Sequence, residues 1–179
     1  MSSASTAAVE TRSSIHSLDS LAARSLEELD ALYRAAAAPT TIRAADGELV
    51  GRMLAVRGVP PAIAAVMRRW AAAPSFVWEG KTFRAASDAH GTGHNRVNVP
   101  GLLGRQGLFP FATRLGASLL DGAPTLILDY DLDVNPAYIR RIHDEIREVA
   151  PGLFLGPAMW KSEREPALVL WFALDARLS

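Results

Sequence analysis

Two periods divide the chain. Leu26, Leu29, Leu32 and Tyr33 recur at helical spacing behind the capping box Ser25-Leu26-Glu27-Glu28, and Ile63, Val66, Met67 and Trp70 do the same behind Pro60-Pro61. These patterns predict helices over 25–37 and 60–72. Between them the turn Ala45-Asp46-Gly47 leads into an alternating run over 48–56 that reads as a strand. From Ser75 onward the period is two, with strands predicted over 75–84, 93–99, 108–120, 125–132, 153–161 and 167–176. Gly80 falls inside the first of these and predicts a bulge. One segment breaks the pattern. Asn135-Pro136 opens a run in which Tyr138, Ile142, Ile146 and Val149 form a stripe among Asp144, Glu145, Arg147 and Glu148, before Pro151-Gly152. That run predicts a helix over 135–149 with a solvated charged face.

In the last strand Leu168, Leu170, Phe172 and Leu174 lie on one face and Val169, Trp171 and Ala173 on the other, so neither face suits water. Such a strand needs an apolar interior on one side and a covering helix on the other. The predicted fold is therefore α+β and mainly β: an antiparallel barrel-like sheet of about seven or more strands with flanking helices. It is expected to form one calycin-like domain over 16–179. Residues 1–15 are small and polar and are expected to be a disordered tail. The interior of so small a barrel either packs solid or holds one small molecule.

Composition narrows the partners. The 179 residues carry 19 basic and 19 acidic side chains, and the arginines are scattered, which argues against a nucleic-acid surface. The apolar runs are too short for membrane insertion. Absence of cysteine removes disulfides, thiolate nucleophiles and sulfur-ligated metals. No signal-peptide pattern opens the chain, so a cytoplasmic location is expected. The pattern leaves the oligomeric state open.

Few polar residues sit where chemistry would need them. Strand parity places Asp129 and Asp131 on one face, roughly 7 Å apart, opposite Tyr130. They can serve a hard metal ion or act as an acid–base pair, or they simply end the strand in polar residues. His94, Arg96 and Asn98 share another strand face, able to hold an anion or to place an imidazole as a general base, or else solvated. His90 lies in a glycine-rich loop, and no metal or cofactor is expected. The two lysines, Lys81 and Lys161, each stand beside a tryptophan, Trp78 and Trp160. Lys81, if buried, can act as an amine of lowered pKa, or it pairs with Glu79. Arg114 interrupts an otherwise small and apolar strand. Asp129 is expected to pair with Arg114 or Arg96, and the His94 face is expected to turn toward the same cavity as the Asp129 face.

The motif Trp78-x-Gly80-Lys81-x-Phe83, with Asn95-Arg96, Leu126-x-Leu128-Asp129-Tyr130 and Asp144-Glu145-x-Arg147, resembles a group of functionally uncharacterised bacterial proteins. The helix ahead of a meander of strands is distantly similar to the calycins, the lipocalins and fatty-acid-binding proteins. Gly51-Arg52-Met53 stands where lipocalins carry Gly-x-Trp.

The expected function is binding of a small, largely apolar molecule inside the barrel. Trp78, Lys81, Arg96, Asn98, Arg114, Asp131 and Trp160 are the expected binding residues, and Asp129 and His94 further polar anchors. The alternatives are a cofactor-independent isomerase, cyclase or hydratase, and a solidly packed structural or partner-binding domain. In the enzymatic reading His94 or Asp129 is the general acid or base, while Tyr130 or Arg96 steadies an oxyanion.

Overall fold

A computed structural model describes residues 17–57, 77–99, 104–163 and 165–178. Eight antiparallel strands follow one another in chain order and close into a barrel: β1 (Gly47–Val56), β2 (Trp78–Ala85), β3 (His90–Val99), β4 (Gly104–Ala117), β5 (Pro124–Asp129), β6 (Ile142–Ala150), β7 (Leu153–Trp160) and β8 (Ala167–Asp175). Pairing of β8 with β1 through Met53↔Phe172 and Gly51↔Leu174 completes the circle. Closure leaves none of these eight strands with a free edge to recruit another chain.

Seven of the eight strands coincide with the period-two runs. The tail 1–15 and the predicted helix 60–72 lie outside the described residues. The helix predicted over 25–37 is present as α2 (Leu26–Ala35), preceded by a short α1 (Leu18–Ala22). Ser25 Oγ accepts from the Glu28 N–H while Glu28 Oε2 accepts from the Ser25 N–H, a reciprocal cap worth about 1 kcal/mol.

Two apolar clusters use the two faces of the barrel wall. Leu49, Phe83, Phe111, Leu126, Ile146, Phe154 and Leu174 fill the interior, with Ile42 and Ala45 of a 3-10 turn packed against them. Outside, Leu21, Leu29 and Tyr33 of the two helices cover Leu54, Leu155, Trp171 and Ala173. The Tyr33 and Trp171 rings meet at 5.5 Å. This explains the doubly apolar β8: Phe172 and Leu174 point inward, and Trp171 and Ala173 lie beneath the helices.

The helix predicted over 135–149 does not form; β6 takes its place. Pro136 O accepts from Ile139 and Arg140 in a single turn, after which the chain extends from Ile142. The sequence Ile-His-Asp-Glu-Ile-Arg-Glu-Val lacks apolar alternation because polar side chains occupy both faces of the strand. His143, Asp144, Glu145, Ile146 and Arg147 are all buried. Their partners come from distant elements, so the charges that suggest a solvated helix face belong to a strand that sees almost no water.

A candidate binding cavity inside the barrel

A cavity of about 360 Å³ opens within the barrel at the end where β1, β3, β5 and β7 finish. Among the described residues its walls are mainly apolar, with Met53, Trp78, Val97, Phe109, Ile139, Ile142, Leu170 and Phe172, and Lys81, Asn95, Tyr130 and Asp144 form its polar part. Small-molecule sites have this make-up: apolar walls with a few convergent polar groups.

Lys81 enters the interior because β2 is irregular. In a regular strand residues three apart face opposite sides. Here the register with β3 shifts between Trp78 and Gly80, and both Trp78 and Lys81 line the cavity. Gly80 adopts φ +138°, and a Cβ there would stand 2.0 Å from Leu49 O. Only glycine fits.

The lysine is completely engaged. Its three ammonium hydrogens have three acceptors: Asn95 Oδ1 at 2.8 Å, Tyr130 OH at 2.6 Å and Asp144 Oδ2 at 2.9 Å. The Trp78, Phe111, Tyr130 and Phe172 rings surround Nζ at 5.2–5.5 Å. Burial pushes the Lys81 pKa down, and the Asp144 carboxylate opposes that shift. Burial, reinforced by the same carboxylate, raises the Tyr130 hydroxyl well above its ordinary value. Tyr130 is therefore a neutral phenol at physiological pH, donating to Asp144 Oδ2 at 3.0 Å and accepting from Asn95 Nδ2 at 3.2 Å. Trp78 Nε1 donates to Asn95 Oδ1 at 3.0 Å. Asp144 Oδ1 has no hydrogen-bond partner although it is buried.

A second buried polar network lies on the outward face of the same strand. Glu145 accepts from Tyr33 OH at 2.6 Å and from the Leu119 N–H at 2.6 Å, and lies 3.0 Å from His143 Nε2. Burial opposes ionisation of Glu145, but hydrogen bonds from His143, Ser118, Tyr33 and Leu119 outweigh it and lower its pKa. Arg147 forks onto both oxygens of Asp121 at 2.7 and 2.8 Å, and donates to the carbonyls of Pro124, Tyr33 and Ala123. Its guanidinium lies 4.2 Å from the Tyr33 ring centroid. The Arg147 hydrogen bond pulls the Asp121 pKa down to about 2.

The structure brings together three of the residues singled out in the sequence, Trp78, Lys81 and Tyr130. The others lie elsewhere. Asp129 pairs with Lys161 at 3.1 Å and with neither predicted arginine. The register explains this: Ala112 stands opposite Asp129, whereas Arg114 is opposite Ile127. Arg96 donates to Glu48 Oε2 and to Leu49 O, each at 2.8 Å. Asp131 pairs with Arg140 at 2.7 Å, and Glu79 with Arg105, so Glu79 does not hold Lys81.

The predicted convergence of the two polar faces does not occur. On β3, Asn95 and Val97 line the cavity, leaving His94, Arg96 and Asn98 at the alternate positions. On β5 and just beyond it, Leu126, Leu128 and Tyr130 belong to the interior cluster, and Asp129 faces away. Trp160 stacks under Arg141 at 5.5 Å outside the described lining. Asn95 and Asp144 went unnoticed in the sequence. A strand reading of 142–150 would have aligned Asp144 with Ile142 and Ile146 and so pointed it inward.

Among the described residues no group of three or more His, Asp or Glu side chains is placed to hold a metal ion. No described helix is long and apolar enough to cross a membrane. No protein-family model matches the chain, and no curated protein matches it. A crystal structure of a protein from Thermomonospora curvata is similar, with a TM-score of 0.52 at 18% identity over 85% of this chain and 87% of that one. At that identity the likeness extends to the fold alone.

Proposed function

We propose that the protein binds a small, largely apolar molecule inside its barrel, at the cavity bounded by Trp78, Phe109, Leu170 and Phe172. The observation that carries this reading is the cavity of about 360 Å³ that the described residues line at one end of an interior filled elsewhere by apolar side chains. Protein interiors pack to near-crystalline density, and leaving a void costs stability through lost contacts. A void with aromatic walls and polar groups gathered at one place is what a ligand site requires.

Lys81, Asn95, Tyr130 and Asp144 orient the occupant, and Trp78 reports on it. With every Lys81 hydrogen already engaged, noncovalent binding is favoured over condensation with a carbonyl compound. The test uses the neutral apolar dye N-phenyl-1-naphthylamine with the wild type and with Ala158→Trp, which fills the cavity from β7. Wild type should raise the dye fluorescence with micromolar affinity and quench Trp78, and A158W should bind at least about tenfold more weakly while keeping the wild-type circular dichroism. Equal dye binding by a folded A158W, or none by either protein, overturns the proposal. Native mass spectrometry of protein from its own source would then weigh the natural occupant.

A further inference from the structure

The polar part of the cavity wall is closed upon itself. Lys81 donates its three hydrogens to Asn95 Oδ1, Tyr130 OH and Asp144 Oδ2. Trp78 Nε1 donates to Asn95 Oδ1, and the Tyr130 hydroxyl to Asp144 Oδ2. The two hydrogens of Asn95 Nδ2 go to Tyr130 OH and, at 3.4 Å, to Phe109 O. Among the described lining residues no side-chain hydrogen of this cluster is left for an occupant. The acceptors are taken as fully. Asn95 Oδ1, Tyr130 OH and Asp144 Oδ2 each receive two hydrogens, which fills their lone pairs. Asp144 Oδ1 has no partner, but it is buried in the wall, out of an occupant's reach. Phe109 and Pro110, which the β3–β4 register shift leaves opposite His94, have carbonyls engaged by Asn95 and, at 2.7 Å, by Asn135.

We propose that the occupant is a hydrocarbon, or a molecule whose part beside this cluster is one: a neutral aromatic or alkyl body with no hydroxyl, carbonyl, amine or carboxylate among its buried atoms. This rests on the cavity being a ligand site and adds the class of ligand. The cluster then orients the occupant by exclusion. A polar group that left water to lie beside Lys81 would find neither donor nor acceptor and would lose its hydrogen bonds outright. An anion or a cation fares no better, because Lys81 and Asp144 already balance each other at 2.9 Å. What the wall offers instead is contact with Trp78, Phe109, Leu170 and Phe172. Apolar pockets reject an isostere that adds a hydroxyl by roughly 100-fold.

Three probes on one ring system test this by equilibrium dialysis at neutral pH: 2-ethylnaphthalene, 2-acetylnaphthalene and 2-naphthylmethanol. Octanol can hydrogen-bond a solute and so sets the reference. Wild type should prefer 2-ethylnaphthalene to each of the others by at least about tenfold more than octanol does. Asn95→Ala removes the acceptor of Trp78 Nε1 and one of the three acceptors of Lys81, and because Asn95 lines the cavity, the space it vacates joins it. N95A should therefore reduce the preference for 2-ethylnaphthalene over 2-acetylnaphthalene by at least about tenfold, since hydrogen bonds to charged groups are the strong ones.

A wild-type preference no greater than that of octanol would mean that the wall serves the polar group; the ligand class is then wrong and the cavity reading survives. A folded N95A that keeps the wild-type preference would show that the cluster is not what excludes polar atoms, and would overturn the inference too. Should N95A fail to fold, the wild-type comparison decides alone. Failure of all three probes to bind wild type would overturn both the ligand class and the cavity reading.

Discussion

Asp144 and Glu145 are neighbours on β6, both buried, and each anchors a polar network on its own side of the barrel wall. Outside, the two charged groups are fully partnered. Glu145 engages Tyr33, His143 and Leu119, and all five donors of Arg147 have acceptors. Inside, the network stops one hydrogen bond short, at Asp144 Oδ1. The completed network fixes α2 against the barrel; the inner one borders the cavity. The cations differ as well. Arginine stays charged under all ordinary conditions, whereas a buried lysine can shed its proton.

The largest effect should come from breaking the completed network. Arg147→Met strands Asp121 and three carbonyls, and should cost about 3–5 kcal/mol in urea denaturation. A loss below about 1 kcal/mol would show that the outer cluster does not clamp α2.

The inner cluster should yield more gently. Asp144→Leu lets Lys81 release its proton, in the direction burial already favours, so the loss should be about 1–3 kcal/mol. Lys81→Met/Asp144→Leu should return to within about 1 kcal/mol of wild type. Equal costs for R147M and D144L, with no recovery in the double variant, would erase the distinction between the two clusters.

The smallest effect is a pH dependence confined to the outer side. The Asp121 pKa falls from 3.8 to about 2 on folding, so its contribution to stability is complete above about pH 4. It is lost as pH falls from there through about 2. Asp121→Asn should lower stability at neutral pH and flatten the decline between pH 4 and 2 relative to wild type. An unchanged slope would mean that Glu145 and other carboxylates carry the acid limb.

These clusters also mark where the sequence could be read. Seven strands were legible because the interior selects apolar side chains at alternate positions, and β8 was the clearest because the helix-covered exterior selects them at the positions between as well. The cap at Ser25 and the bulge at Gly80 were legible from local chemistry. β6 was not, since local pattern reports exposure only when polar residues face water, and key partners lie far off in the chain: Lys81 is 63 residues from Asp144, Tyr33 112 from Glu145 and Asp121 26 from Arg147. For the site, Trp78, Lys81 and Tyr130 drew notice as residue types on strands. His94, Arg96 and Asp129 misled because strand parity groups residues by face without showing which face turns inward, and here Asn95, Val97, Leu128 and Tyr130 take the inner one.

The bulge at Gly80 therefore acts as a phase shift along the wall. On one side of it the inward series contains Trp78; on the other it restarts at Lys81 and continues with Phe83. Two residues that a regular strand would hold back to back instead share a room, with the ammonium 5.5 Å from the indole centroid. A single backbone irregularity, at a position where any Cβ would strike Leu49 O, thus brings the cation into a chamber that already holds Asn95, Tyr130 and Asp144. In regular phase with Trp78 inward, Lys81 would stand on the outside, and Asn95, Tyr130 and Asp144 would meet inside without their cation.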